Sequence, residues 1–573
     1  MNFNISLKQL EIINYNDNED ILVIACPGSG KTHTIICKYI KIVTNNIFSP
    51  NEIILITFTK KAGNELSCRL NNMIPNNEPL YVGTIHGFAY KILKKYTNIN
   101  YTILDEIDYK NYILNIAGSY EYNIKSNIIS IIDQVSNSYP IELKKVLIKN
   151  NLEKYYKEFN KIYKTYQQKK IKENYIDFND LMLLFSKFLD NDSQSNEFKN
   201  TIKYIFFDEY QDINPIQNYI LTKLNEKSTL MLVGDDAQSI YSFRGSNIEY
   251  ILNFNKKIFL LEENYRSTSN IINLCQNIIN KNISQFNKNV ISKINNITNY
   301  KPCMYHFESQ IDLLKWLSKK IVKENESGCK LSDMVIMART NIVLENAEIY
   351  LFNNNIKYTK HLGTLLLNKS HVRDFIAFII VLYNPKSTVH WIRVLCLNNN
   401  YNISEASEII NSSKNIFKKL KNIPECKNLI ELYNNINKVL DNEKINLILN
   451  YFKQNFNFSK NDLIDIEKLM KYFSNVQDLN DFINNVYLNH ETKNENVDSL
   501  YLTTIHGAKG LEWNTVFLID SINKHEKDEI EEERRLLYVA TSRAKIKLNI
   551  LCLTNKSYLL NDIDKKLYKT ITK

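Results

Sequence analysis

The chain is 573 residues long, enough for several domains that each bury a core, and this excludes a single small fold. With 44% hydrophobic and 23% charged residues the composition is that of an ordinary globular protein, and no apolar stretch approaches the ~20 residues of a membrane span, so no membrane partner is expected. A formal net charge of +10, spread along the chain, suits an anionic polymer without requiring one.

The N-terminal MNFNISLKQL has neither the basic region nor the apolar core of a secretory signal, so a reducing compartment and no secretion are expected. The nine cysteines agree: they are scattered, odd in number and never spaced CxxC, which gives no support to a disulfide framework, a zinc site or an iron–sulfur cluster. The abundance of Asn, Ile, Lys and Tyr reads as AT-rich coding, as in a bacterial or viral genome, so runs such as Asn353-Asn354-Asn355 carry no functional weight.

In chain order, the first element with chemistry is the apolar run Ile21-Leu22-Val23-Ile24 followed by ACPGSGKT, Ala25 to Thr32. Gly28 and Gly30 let the backbone bend closely around a polyphosphate, with N–H groups and a helix N-terminus aimed at its oxygens. Lys31 then neutralises the β/γ charge and the Thr32 hydroxyl can ligate Mg²⁺. Ala25 stands where the general pattern has its first Gly, at little cost because the amides come from later positions.

The β-branched runs Glu52 to Thr59 and Tyr81 to His86 read as further buried strands. From about Tyr90 to Asp192 such runs stop, and IDYKNYILNIAG and EKYYKEFNKIYKTYQQKKIKENY show helical spacing, so this segment reads as a helical insertion; its stripe Tyr155, Tyr156 and Tyr163 could stack on bases, but aromatics at helical spacing are more often packing. A strand at Tyr204 to Phe207 then runs into DEYQD, Asp208 to Asp212. Asp208 would hold Mg²⁺ and Glu209 would polarise the attacking water. The Gly-rich loop and the acidic pair together describe a nucleoside-triphosphate hydrolysis site, each half supplying what the other lacks. Strands at Thr229 to Asp235 and Lys257 to Tyr265 complete a doubly wound α/β body with its ligand at the strand C-terminal ends.

A second α/β body is predicted from strands at Pro302 to Phe307, Asp333 to Thr340, Tyr501 to His506, Thr515 to Asp520 and Lys547 to Leu553. Between Pro385 and about Ser499 the reading is again helical, with KNLIELYNNINKVLDN the clearest amphipathic stretch.

Six further clusters lie at or near strand ends: TFTKKAGNEL from Thr57, GTIHGFA from Gly83, VGDDAQSIYSFRGS from Val233, EENYRST from Glu262, TTIHGAKGLEW from Thr503 and EEERRLLYVATSRA from Glu531. In this order, with the Gly-rich loop and DEYQD, they resemble the helicase motifs of superfamily 1, specifically the UvrD/Rep family, over nearly the whole chain apart from the two insertions. The resemblance implies an α/β fold of two RecA-like parallel-sheet P-loop domains, each with a mainly helical insertion. Residues 1–92 and 193–260 would form the ATP-binding domain 1A, 93–192 insertion 1B, 261–385 and 500–573 domain 2A, and 386–499 a reduced insertion 2B.

By the same resemblance Ala25, Cys26, Pro27, Gly28, Ser29, Gly30, Lys31 and Thr32 surround the phosphates of ATP, Gln9 reads the adenine edge, Tyr265 stacks on the base, and Glu512 helps hold the sugar region. Gln238 would touch the γ-phosphate and report its loss to the loop Tyr241 to Gly245. Arg266 and Arg543 would reach that phosphate from the second body, making closure depend on it. Phe58, Thr59, Thr84, His86, Tyr241, Phe243, Arg244, His506 and Lys509 match positions that line a single-strand groove, where aromatic stacking tracks bases of any identity. For His86 and His506 a loop-capping role stands beside the DNA role.

Some positions depart from the family. Phe243 stands where Trp is frequent, His33 replaces an arginine, the stretch between GLEW and EEERRLL is short, and the chain stops soon after its last core strand, so no appended nuclease domain is expected. The implied activity is that of an Mg²⁺- and ATP-dependent DNA helicase moving 3′ to 5′ on single-stranded DNA. It would act at single/double-strand junctions with replication or repair proteins as partners, in the cytoplasm at a nucleoid or viral replication site. Alternatives are a translocase that strips proteins from single strands with little unwinding, a nucleotide-gated DNA-binding module, and an RNA substrate.

Overall fold

Continuous apolar runs form the buried inner strands of a six-stranded sheet, with two less buried strands at its edges. In the computed structural model the six are β1 (Ile21–Ala25), β2 (Ile53–Thr57), β3 (Tyr81–Thr84), β4 (Tyr204–Phe207), β5 (Thr229–Gly234) and β6 (Lys257–Leu261), in the order β3-β2-β4-β5-β1-β6 with every neighbour parallel. The structure describes the chain except residues 1–4, 98–101, 104–108, 111, 112, 115, 118, 119, 139–141, 174, 295–299, 362–368, 384–387, 398–400, 412–419, 421–426, 437–440, 457, 474–497, 521–529 and 554–556.

Strand alternation divides this sheet's side chains between two cores. Leu22, Ile24, Ile54, Ile56, Ile205, Phe207 and Leu232 pack against helices Ile85–Tyr96, Phe178–Asp190 and Pro215–Asn225. Ile21, Val23, Ile53, Leu55, Phe206, Met231 and Val233 pack against Leu7–Asn14, Lys31–Thr44 and Lys60–Met73. Burial on both faces is why β1, β2, β4 and β5 read as unbroken apolar runs.

The second sheet is built from β7 (Cys303–Phe307), β8 (Met334–Ala338), β9 (Tyr358–His361), β10 (Leu500–Thr504), β11 (Trp513–Ile519), β12 (Ala544–Leu553) and β13 (Lys569–Thr572), in the order β9-β10-β8-β11-β12-β7-β13. The ladders β9–β10, β10–β8, β8–β11, β12–β7 and β7–β13 are parallel. The expected α/β class with two parallel sheets therefore holds. β9 and β13, the two edges, had no strand prediction, and β13 carries pairing beyond the strand expected to be last.

Both helical insertions have cores of their own. In the first, Ile113, Ile124, Ile128, Ile131, Val135, Leu147, Phe159, Ile162 and Tyr166 cluster, and Tyr155 and Tyr163 pack against them while Tyr156 is exposed. Half of IDYKNYILNIAG lies outside the described residues. In the second, Trp391, Leu429, Ile448, Phe452, Ile466 and Leu469 form the centre together with Phe375 and Phe378 of the preceding helix Ser370–Tyr383, and residues 437–440 of KNLIELYNNINKVLDN lie outside the described residues.

By contacts the chain forms two units. The first is Met1–Lys301 with Lys524–Ile546 and Asp562–Leu567; the second is Pro302–Asn523 with Lys547–Asn561 and Tyr568–Lys573.

Candidate functional site

The loop after β1 is shaped by two glycines in the left-handed region, Gly28 at φ +70° and Gly30 at φ +83°, the second being the N-cap of the helix that begins at Lys31. Its N-terminal amides have no side-chain cap, which leaves them directed into the loop, as an anion site requires. Gln9 holds the loop from one side: its Nε2 donates to the Ser29 carbonyl at 3.1 Å, and its Oε1 accepts the Ser6 N–H at 3.0 Å in a capping box. A Cβ at Gly30 would come within 2.6 Å of that Nε2.

The segment after β6 holds the other side. Asn264, fully buried, donates from Nδ2 to the Pro27 carbonyl at 2.5 Å while its Oδ1 accepts the N–H groups of Arg266 and Ser267. The Tyr265 N–H bonds the Gly28 carbonyl at 2.9 Å, and the Tyr265 ring is 47% exposed beside the loop. Cys26, buried at the strand end, has its thiol pushed up to about 12 by burial, so it is an inert filler at this position.

At the end of β4, Asp208 accepts the N–H of Glu209 at 2.9 Å, and Glu209 sits in the left-handed region at φ +59°, unusual for a residue with a side chain. Gln211, the DEYQD residue to which the sequence assigns no role, is fully buried and joins two loops: its Nε2 donates to Glu209 and its Oε1 accepts the Asp235 N–H at 2.8 Å. The catalytic carboxylate candidate is thereby tied to the loop that follows β5.

That loop contains a buried charge cluster. Lys288 donates to Asp235 and to Asp236, each at 2.7 Å, and Asp236 also accepts the Phe286 N–H. Burial alone would raise the Asp235 carboxyl, but the charges of Lys288 and Lys31 outweigh it and hold the group below the ordinary carboxylate range. Burial likewise opposes the Lys288 charge, and the two aspartates overcome it and raise the lysine above its usual value. Asp235 and Asp236 belong to the VGDDAQSIYSFRGS motif; Lys288 belongs to none, and only the fold brings it there.

Gln238 bonds Asp235 through Nε2 at 2.8 Å, and its Oε1 accepts Nη2 of Arg543 at 2.8 Å. Arg543 is 1% exposed and further fixed by the Val539 carbonyl and the Ser542 hydroxyl. Arg266 approaches the Ser542 carbonyl at 3.5 Å. Both arginines, Gln238 and the Gly-rich loop lie in the first unit.

Three residues beyond Gln238 the aromatic set begins. Phe58 and Tyr241 stack at 5.2 Å and 20°, Phe243 lies 5.9 Å from Tyr241, and the Arg244 guanidinium sits over both rings of the loop at 5.5 and 5.7 Å. Phe243 is 53% exposed. Thr59 and Thr84 are helix N-caps, accepting the Ala62 and Gly87 amides. His86 meets Phe178 edge-on at 5.9 Å, and burial lowers its pKa to about 4, so it is neutral near pH 7. His506, Lys509 and Glu512 follow β10 in the second unit, with the Lys509 N–H bonded to the His506 carbonyl.

The donor set suits the expected metal. A Thr32 hydroxyl and an Asp208 carboxylate are hard oxygen ligands, few in number, as Mg²⁺ shared with phosphates demands.

Comparison with known proteins agrees with this geometry. Residues 5–258 match the UvrD/REP helicase N-terminal domain and residues 259–555 the UvrD-like helicase C-terminal domain. An ATP-dependent DNA helicase PcrA of Staphylococcus epidermidis is 28% identical over an alignment covering 96% of this chain and 83% of that protein. An ATP-dependent DNA helicase Rep of Buchnera aphidicola is 28% identical, covering 93% and 92%. A probable DNA helicase II homolog of Mycoplasma capricolum is also 28% identical, covering 97% and 86%. With a Gly-rich loop, an acidic strand end and the Gln238–Arg543 contact in one unit, and with the second match alone spanning more than half of its length, the chain belongs to the UvrD/Rep helicase family.

Proposed function

We propose that this protein is an Mg²⁺-dependent, ATP-hydrolysing DNA helicase that moves 3′ to 5′ along single-stranded DNA and opens duplex at single/double-strand junctions. The observation that carries the reading is Gln238, held between Asp235 and Arg543 at one end of a loop whose other end presents Tyr241, Phe243 and Arg244. Loss of a γ-phosphate next to Gln238 would be felt a few residues away at the aromatic set.

The residues take these roles. Backbone amides of the Gly28–Lys31 loop and the Lys31 ammonium bind the polyphosphate, with Tyr265 against the base. Thr32 and Asp208 would hold Mg²⁺, which when bound neutralises phosphate charge. Glu209 orients the attacking water, and Gln211 keeps its carboxylate in place. Arg543 and Arg266 stabilise charge on the transferred phosphoryl group. The family likeness assigns His506 and Lys509 to the single strand and Glu512 to the nucleotide sugar. The 3′-to-5′ direction follows the family likeness, and a role in repair, replication or recombination with partner proteins follows it as well.

Steady-state ATP hydrolysis with and without single-stranded DNA, in wild type and Glu209→Gln, tests the reading. Strong stimulation that vanishes in the variant is expected. Nucleotide binding without stimulation would replace the motor by a nucleotide-gated binding module or an RNA substrate, and opening of a 5′-tailed but not a 3′-tailed duplex would reverse the polarity.

A further inference from the structure

The helix Ile530–Thr541 and the residues just after it hold the segment 238–242 at both ends. Just past its C-terminus Arg543 binds Gln238, and from its first turn Glu532 takes the Ser242 N–H at 3.2 Å on one carboxylate oxygen and the Ser242 hydroxyl on the other. Ser242 lies between Tyr241 and Phe243, two residues before the Arg244 guanidinium sits over both rings, and it is exposed, as are Phe243 and Arg244. Glu531 and Glu533 flank Glu532, and its charge also acts on Arg535 of the same helix.

A carboxylate and a phosphate offer the same pair of anionic oxygens and take the same charge-assisted hydrogen bonds. A backbone N–H with a serine hydroxyl, near an arginine, is a common seat for a nucleic-acid phosphate. We infer that Glu532 is a resident competitor for a backbone phosphate of the single strand: it fills the Ser242 seat while no strand is bound and is expelled when one enters. Expulsion removes one tie from the first turn of a helix about 18 Å long, while Glu531 keeps that turn on Ile283 and Ser284, so strand entry reaches the Arg543–Gln238 contact through the short segment that joins Ser242 to Gln238. The inference rests on the DNA-motor reading above.

The test is anisotropy titration of a labelled oligothymidine with the nucleotide-free full chain, beside ATP hydrolysis without DNA, for wild type, Glu532→Gln, Glu532→Ala and the charge-matched control Glu249→Gln. Glu249 is on the short helix after the loop and bonds Asn253 instead of Ser242. Both Glu532 variants should bind about tenfold tighter, the worth of roughly one charge-assisted hydrogen bond, and hydrolyse more ATP without DNA. The control should stay within about twofold of wild type. Unchanged or weaker binding by both Glu532 variants overturns the inference, as does equal tightening by the control, which would make it a bulk charge effect. If wild type binds the strand and is stimulated by it but Glu532→Gln does not tighten, the competitor alone falls. If wild type neither binds nor responds, the motor reading falls and the competitor with it.

Discussion

Arg543 donates to the same Gln238 side chain whose other end is bonded to Asp235, at 2.8 Å in both cases. Every polar end of the Gln238 amide thus has a buried partner, and a phosphate arriving at Gln238 has to compete with or recruit the guanidinium. Losing Arg543 removes charge stabilisation in the transition state and leaves the Gln238 oxygen without this donor. Arg543→Ala should lower kcat for ATP by about 10³ or more, with nucleotide affinity changed far less. Initial-rate kinetics beside equilibrium nucleotide binding separates the two; a parallel loss of both would make Arg543 a structural residue only.

Gly28 is constrained twice. Its φ of +70° is costly for any residue with a Cβ, and a Cβ there would lie 2.5 Å from the Arg266 Cβ. Gly28→Ala should weaken binding of a fluorescent ATP analogue by about tenfold or more, from roughly 1–2 kcal/mol of backbone strain and the shift forced on Arg266. Retained affinity would mean that the loop adjusts freely and that the segment Asn264 to Ser267 does not hold its shape.

Lys288 neutralises two buried carboxylates, Asp235 and Asp236. Lys288→Met leaves both without their cation, a change of roughly 3–5 kcal/mol against the folded first unit. The unfolding temperature should drop markedly, and adding Asp236→Asn in the same chain should recover part of it. A variant with wild-type stability would show that water reaches the cluster.

How much of this could be read along the chain depends on how local the signal is. β1, β2, β4 and β5 were legible because burial on both faces demands unbroken apolar runs, as in Ile21–Ala25. β9, YTKH, and β13, KTIT, are sheet edges with polar and lysine side chains, so they carry no such run. The loop residues Gly28, Lys31, Asp208 and Gln238 stood out by motif. Asn264 and Lys288 act on partners 237 and 53 residues away, and Gln211 ties Glu209 to a loop 24 residues on. No spacing rule reports contacts made by folding over such separations.

His86 sets a pH dependence. Burial holds its folded pKa to about 4, against about 6.5 in an unfolded chain. Between those values the unfolded chain binds a proton that the folded one refuses, so stability rises with pH across the window and is lost as pH falls from about 6.5 toward 4. Asp235, depressed when folded, adds a loss in the same direction at lower pH, through and below the ordinary carboxylate range. The unfolding temperature should therefore fall between about pH 7 and pH 5 in wild type, and His86→Phe, which cannot titrate, should make that fall shallower, the remainder coming from His33 and His390, which burial also holds below the usual histidine value. An equally steep fall in the variant would place the titrating group elsewhere.

Phe243 and Arg244 would grip a single strand through different forces, and salt tells them apart. Phe243→Ala removes one stacking face, which should weaken single-strand binding by roughly 5- to 150-fold, corresponding to about 1–3 kcal/mol. The slope of affinity against log[salt] should stay unchanged, because the ring carries no charge. Arg244→Ala should instead reduce that slope by about 0.7, the value for one phosphate released from neutralisation on a single strand. It should also loosen the rings of Tyr241 and Phe243, over which the guanidinium sits. Phe243→Trp offers a larger face and should bind tighter than wild type at every salt concentration. Titrations of a labelled oligothymidine across a salt series check all three variants. A change of slope in Phe243→Ala, or none in Arg244→Ala, would mean that this loop does not divide stacking from phosphate contact between these two residues.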